Sequence, residues 1–296
     1  MNQKMEKVKN YLKLMRIKHY IKNLLIFLPL IFSLNFYNVE MCFTTFIGFL
    51  LFSLTCSIVY IINDIQDVEK DRNHPEKCKR PIASGNVKVK EAYILAIVLL
   101  TLILAIAIIS KMNLNSLLIL GLYLVLNVAY SKGLKNIPLA DIVILVTCFL
   151  LRVILGAILI NVAVSNWLYL TIISFSFYLS LGKRRNELER STESGINVRD
   201  VLKYYNKSFL DKNMYLCLAL TIIFYSLWCV DPINIEKFGT NYLVFTVPLV
   251  MIICMKYSLN IEGDSYGDPV EVLLADKILI ILVLLYIIAM MGIILI

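Results

Sequence analysis

FLLFSLTCSIVYIINDIQDVEKD, residues 49–71, decides the fold of this chain. Its first half continues an apolar run that begins near residue 40. A run of about 20 such residues crosses the hydrocarbon core of a bilayer as a helix. Its second half turns abruptly to three aspartates, Asp64, Asp67 and Asp71. Spacings of three and then four put them on one helix face, with Asn63 one turn before Asp67. Like charges gathered in this way repel one another, so such a row points to a bound cation. Hard oxygen ligands at the end of a membrane helix point to Mg²⁺, which usually arrives bridging a phosphorylated substrate. The plain alternative is a solvated helix end with incidental acids.

The rest of the chain repeats the first half of that pattern. The 296 residues are 59% hydrophobic, with a mean hydropathy of +0.78. About nine spans are expected, at 20–37, 40–62, 89–110, 115–130, 137–160, 165–182, 212–231, 240–258 and 276–296. Backbone polar groups in lipid must be satisfied within their own segment, so the fold is all-α, a polytopic membrane protein. Spans and short loops use up the length. A single integral membrane domain over 1–296 is expected, with a basic segment at 1–19 and polar loops near 63–88, 131–136, 183–211 and 259–275. No small-residue cleavage site follows the first apolar run, which reads as a retained span.

Basic residues order the topology. Seven Lys and Arg lie within 4–22, seven within 70–90, two at 132 and 135, and eight within 183–212. These stretches alternate with the others, whose only basic residues are Lys111 and Lys237. A bias of 24 to 2 places the N-terminus and the polar loops in the cytoplasm, and nine spans then place the C-terminus outside. The net charge of +8 is therefore mostly one basic face, which also attracts anionic lipid. Nothing suggests a nucleic-acid partner, because no aromatic-interleaved basic patch occurs. The seven cysteines form no CxxC and fall mostly inside spans, as apolar fillers. His19 and His74 are too far apart in sequence to suggest a metal pair.

Each polar stretch carries more than charge. After the aspartates comes KRPIASG at 79–85, where Pro81 and Gly85 predict an ordered turn and Lys79 and Arg80 set cations beside the carboxylates. YSKGLKNIP at 130–138 leads to Asp141, with Pro138 suited to a first helical turn. Arg152 follows Asp141 by close to three turns, so the two share a face. An arginine near mid-span must face a bundle interior or a polar cavity, as a substrate contact or as a structural group held by carbonyls. GKRRNE at 182–187 reads in isolation as a topology determinant. Clusters at the ends of three even-numbered spans together predict one polar cavity with its mouth at the membrane surface. The acidic stretch at 262–276 fits turn chemistry and substrate contact equally.

At this point the residues resemble the UbiA-type intramembrane prenyltransferase superfamily. The resemblance rests on NDxxDxxxD at 63–71, about nine spans and a cytoplasmic polar face. Finer features look like its decaprenyl-phosphate phosphoribosyltransferase branch. These are RIKHYIKN at 16–23, KRPIASG at 79–85, Tyr130-Ser131 through Asp141, Leu151-Arg152, GKRRxE at 182–187 and Gly267-Asp268-Pro269. That branch usually has Arg-Pro and Gln-Trp where this chain has Arg16-Ile17 and His19-Tyr20. The wider superfamily carries a second aspartate-rich motif after the sixth span. Here Lys183, Arg184 and Arg185 stand there, with only Glu187 and Glu189 as nearby acids. Phosphoribosyl pyrophosphate has one diphosphate and a separate 5-phosphate, which needs cations rather than more carboxylates.

The resemblance implies an Mg²⁺-dependent transferase of the cell membrane, with a UbiA-like helical bundle. It moves phosphoribosyl from phosphoribosyl pyrophosphate to a polyprenyl phosphate lipid, a product for cell-envelope glycan synthesis. Asn63, Asp64, Asp67 and Asp71 would hold Mg²⁺-pyrophosphate, assisted by Lys79 and Arg80. Lys183, Arg184 and Arg185, with Glu187 beside them, would hold the 5-phosphate or the acceptor phosphate. Tyr130, Lys135 and Asp141 would position the ribose, while Lys22 and Arg152 would meet the acceptor phosphate. Two other readings compete: a polyprenyl transferase acting on an aromatic or quinone-precursor acceptor, and a transporter that uses Asp141 and Arg152 as a pathway. Homo-oligomerisation stays open.

Overall fold

Asn38 opens the helix that carries the aspartates. Its side-chain oxygen accepts hydrogen bonds from the Glu40 and Met41 amides at 3.0 and 3.2 Å, donors that a helix start leaves unsatisfied. The computed structural model of the chain describes residues 2–73, 77–194, 199–263 and 268–295. His74 and residues 264–267 of the acidic stretch lie outside the described residues. Among those described, helices are joined by turns and no strand occurs. Among the described residues seven helices are long and apolar enough to cross a membrane. The chain divides into two compact units, Met1–Gly133 with Leu151–Ala163, and Leu134–Leu150 with Val164–Ile296.

The first unit holds α1 (Asn2–Met15), α2 (Leu28–Phe32), α3 (Val39–Gln66), α4 (Val68–Arg72), α5 (Val89–Ile109), α6 (Leu114–Lys132) and the end of α7 (Ala140–Leu159). α3 is its centre and packs against α1, α5 and α6. Buried Ser53, Thr55 and Ser57 keep that helix slim, and small residues let membrane helices approach closely. Thr55 returns its hydroxyl to the Leu51 carbonyl at 2.7 Å, so no donor is stranded in the apolar interior.

The expected first span at 20–37 is not one helix. It consists of a 3₁₀ segment Ile17–Phe27, the short α2 and a turn Asn35–Tyr37. Left-handed backbone at Arg16 and Leu34 brackets it, and Pro29 suits only the first turn of α2.

The second unit holds the start of α7, then α8 (Asn166–Ser194), α9 (Lys207–Val230), α10 (Pro232–Phe238), α11 (Val247–Glu262), α12 (Pro269–Ala275) and α13 (Lys277–Leu295). α8 lies along α9, and Tyr178, Leu210, Met214, Ile261 and Leu279 form the core between them and α11 and α13. The sixth expected span, 165–182, is the apolar half of α8. Its Thr171, Ser174, Ser176 and Ser180 leave it less apolar than the seven other spans. Residues 183–194 continue α8 and are not loop. Arg184 pairs with Glu187 at 2.7 Å and Arg185 with Glu189 at 2.8 Å, at spacings of three and four that support a helix.

Candidate functional site

Asp64 lies in the last turn of α3 and is 2% exposed, and Asp71 in α4 is nearly as buried. The expected single helix through 63–71 breaks at Asp67, which ends α3 and begins α4. The break is shallow. The Asp67 amide still bonds the Asn63 carbonyl at 2.9 Å, and the Asp71 amide bonds that of Asp67 at 2.8 Å. The carboxylates of Asp64 and Asp71 therefore stay on one side. One Arg80 nitrogen donates to both, at 3.1 Å to Asp64 and 2.7 Å to Asp71. Arg16 adds a second guanidinium on Asp64 at 2.7 Å and lies 4.5 Å over the Tyr60 ring. Asp67 is half-buried. Asn63 accepts from the Ser131 hydroxyl at 3.1 Å.

The turn at 80–87 explains where Arg80 points. Ser84 bonds back to the Arg80 carbonyl and Val87 to that of Pro81, both at 2.9 Å. Ile82 and Val87 are buried beneath it, and Gly85 takes φ +79°, a conformation that costs glycine little. Lys79 is exposed, and its carbonyl accepts from Lys13. Among the described residues no three of His, Cys, Asp and Glu are gathered as a metal-binding group, and Arg80 spans the two buried carboxylates. The donor chemistry nevertheless fits Mg²⁺: three carboxylates and an amide, all hard oxygens.

A second polar knot lies deeper in this unit. Arg152, on α7, is 5% exposed. Its Nε donates to Asn23 at 2.8 Å, and Asn23 in turn donates to Ser53 at 2.9 Å. The Phe52 and Tyr123 rings face the guanidinium at 4.8 and 5.4 Å, and the Cys56 thiol lies against it. A buried cation beside aromatic faces is held without bulk water. Cys56 is thus more than a filler. Lys22 and Tyr130 are half-buried in the same unit.

The second unit gathers the basic run. Arg184 and Asp141 are both fully buried, 2.5 Å apart. The other Asp141 oxygen accepts from the Tyr205 hydroxyl at 2.7 Å, and that same hydroxyl accepts from the Leu139 amide at 2.7 Å. Burial and the Asp141 carboxylate push the Tyr205 hydroxyl up to about 12, so it remains a donor. Burial alone would raise Glu187. The guanidiniums of Arg184 and Arg199 and the Lys183 ammonium outweigh it and hold the carboxyl at about 2. Arg185 bonds Asp211 at 2.7 Å. Lys183, 29% exposed, sits 3.6 Å from Asp268. Lys135 is half-buried, in the turn that precedes α7.

Three described acids of the 262–276 stretch join helix ends to distant residues: Asp268 meets Lys183, Asp276 pairs with Lys256 at 2.7 Å, and Glu262 lies beside Tyr215. Asp268 also caps α12 and Asp276 caps α13. Sequence reasoning missed the part played by Arg16 on Asp64, by Tyr205 on Asp141 and by Asn23 on Arg152. Their separations of 48, 64 and 129 residues leave no local periodicity to read.

Residues 26–274 match the UbiA prenyltransferase family. The chain belongs to that family. The decaprenyl-phosphate phosphoribosyltransferase of Mycobacterium tuberculosis is 31% identical over 284 residues, which cover 95% of this chain and 92% of that protein. The protein of the same name from Corynebacterium glutamicum is 29% identical over 276 residues, 92% of this chain and 83% of that one. A solved structure of a UbiA homologue from Archaeoglobus fulgidus bound to GPP and Mg²⁺ matches with a TM-score of 0.68 at 19% identity. That match covers 97% of this chain and 100% of the other. The fold is therefore UbiA-like and the resemblance read from the sequence holds. As a UbiA-family protein the chain is an integral membrane transferase.

Proposed function

We propose that this chain transfers a 5-phosphoribosyl group from phosphoribosyl pyrophosphate to the phosphate of a membrane polyprenyl lipid, releasing pyrophosphate. Similarity to enzymes named decaprenyl-phosphate phosphoribosyltransferase over nearly the whole chain carries the reading. The bond from ribose C1 to the pyrophosphate oxygen breaks and takes the electron pair with it. An acceptor phosphate oxygen forms the new bond to C1. That oxygen is already anionic, so no side-chain base is needed.

Asn63, Asp64, Asp67 and Asp71 would hold Mg²⁺. Bound there, the ion would neutralise charge gathering on the leaving pyrophosphate. Arg80 and Arg16 already balance the buried carboxylates, and with Lys79 they supply cations for diphosphate oxygens. Arg184 and Arg185 are enclosed by acids, so a phosphate arriving at that end of α8 meets Lys183 first. Asp141 holds Arg184 in place and, with Lys135 and Tyr130, belongs to the ribose side of the reading. Lys22 and Arg152 belong to the acceptor phosphate. The basic stretches and this chemistry face the cytoplasm.

Membranes holding the protein, given Mg²⁺, labelled phosphoribosyl pyrophosphate and a polyprenyl phosphate, should carry label into the organic phase. A chelator should abolish the transfer. Label confined to water across several acceptor lengths, with turnover of prenyl diphosphates instead, would replace this reading with polyprenyl transfer. Asp67→Asn should lower turnover by more than the roughly 100-fold that losing an outer-shell partner of a metal typically costs. Unchanged activity and Mg²⁺ dependence in that variant would remove the metal assignment.

A further inference from the structure

α1 has two unlike faces. It packs on α3, and Leu14 is fully buried there. Met5, Val8 and Leu12 are 59, 55 and 46% exposed. Their spacing of three and four makes one stripe, turned about 150° round the helix from Leu14. Lys9 lies along one edge of that stripe, with Lys13 further round on the same side, and both are exposed.

The polar contacts of α1 fix its depth. Lys7 pairs with Glu91 at 2.8 Å, and Glu91 stands in the first turn of α5, a membrane span. Lys13 donates to the Lys79 carbonyl at 3.2 Å, in the chain that joins α4 to α5. Both anchors mark the polar ends of spans, where hydrocarbon gives way to headgroups. A helix held at that depth with an apolar stripe turned away from the protein has the build of an interfacial helix. Its stripe would sit about 5–10 Å into the headgroup and acyl boundary. Lys9 beside the stripe can keep its stem along the apolar surface and its ammonium group at the level of lipid phosphates.

We propose that α1 docks on the anionic headgroup surface of the bilayer and is a membrane-binding element separate from the spans. Charge complementarity selects the partner: exposed lysines run along one edge of the stripe, and α1 belongs to the basic N-terminal stretch. The consequence reaches the aspartates. Arg16 follows α1 directly and bonds Asp64 at 2.7 Å, so the lipid surface seats the segment from which Arg16 reaches the cluster. Nothing in this inference depends on which reaction the protein catalyses.

The test uses the full chain in nanodiscs of phosphatidylcholine with and without phosphatidylglycerol. Val8→Trp places a reporter on the exposed stripe, and Lys9→Trp places one on its polar flank. Difference emission against the unmodified protein removes the two native tryptophans. The residue 8 reporter should be blue-shifted and lose most of its emission to brominated acyl chains, whereas the residue 9 reporter should not. Hydrogen exchange of α1 in the unmodified protein should slow when phosphatidylglycerol is added. Emission typical of water at residue 8, or exchange indifferent to anionic lipid, overturns the proposal. A blue shift without lipid quenching, seen only in discs holding two copies, overturns it in favour of a stripe covered by a second chain.

Discussion

Leu139 shows how one residue can carry strain that another holds in place. Its φ of +67° lies in the left-handed region, which costs a non-glycine residue roughly 1–2 kcal/mol. The Tyr205 hydroxyl accepts from its amide and donates to Asp141, two residues on. Asp141 in turn meets Arg184 in a pair with no solvent exposure. Tyr205→Phe would leave the Leu139 amide and one Asp141 oxygen without this partner. An unmet buried polar group costs about 1–3 kcal/mol, so the variant should unfold at lower temperature in detergent. Its lipid-phase labelling should also weaken as Arg184 loosens. An unchanged midpoint would mean that water replaces the hydroxyl. Nothing near Tyr205 in sequence announces this role, because hydropathy and spacing report only on neighbours within a few turns. The aspartates were legible for the opposite reason: spacings of three and four are local, and they survive the break at Asp67.

At the scale of elements, backbone approach and helix-end charge decide what changes are tolerated. Gly156 on α7 lies so close to the 3₁₀ segment that an added Cβ would stand 2.1 Å from the Ile26 carbonyl oxygen. Backbone cannot swing aside as a flexible side chain can. Gly156→Ala should therefore cost about 1–3 kcal/mol or more as overpacking, seen as a lower yield of folded protein in detergent. Gly121 on α6 has open space around it, so Gly121→Ala should be neutral or mildly stabilising. The charged end of α8 gives a pH signature. Glu187 sits below its ordinary value of 4.5, at about 2, so its contribution to stability is complete above 4.5 and disappears as the pH falls toward 2. The difference in thermal midpoint between the unmodified protein and Glu187→Gln should close across that window. A constant difference would mean that Glu187 acts by packing. The extension of α8 through 183–194 was readable from its Arg and Glu spacing, yet composition alone suggested loop. The broken first span was hidden because hydropathy measures length, not regularity, and only Pro29 hinted at interruption.

For the whole molecule, the distribution of charge makes the farthest-reaching claim. Composition alone identified a membrane protein, and seven of the nine expected spans are helices of the required length and polarity. The fold was legible at this scale because each span must satisfy its own backbone hydrogen bonds. Sidedness rests on a different term, the retention of Lys and Arg on the cytoplasmic side during insertion. Twenty-four basic residues against two should leave few alternatives. Lys203, between α8 and α9, and Lys207, at the start of α9, have side chains 63 and 57% exposed and offer trypsin ready sites. In inverted vesicles, trypsin should cut there and at the other exposed lysines of the same side, among them Lys70, Lys88 and Lys132. In right-side-out vesicles the same lysines should survive, and cleavage should be confined to Lys111 and Lys237, both exposed. Cleavage at Lys203 from the outside would invert the topology. It would also remove the aspartates from the side where the proposed phosphoribosyl donor is made, so this digestion tests the setting of the proposed reaction as well as the orientation of the chain.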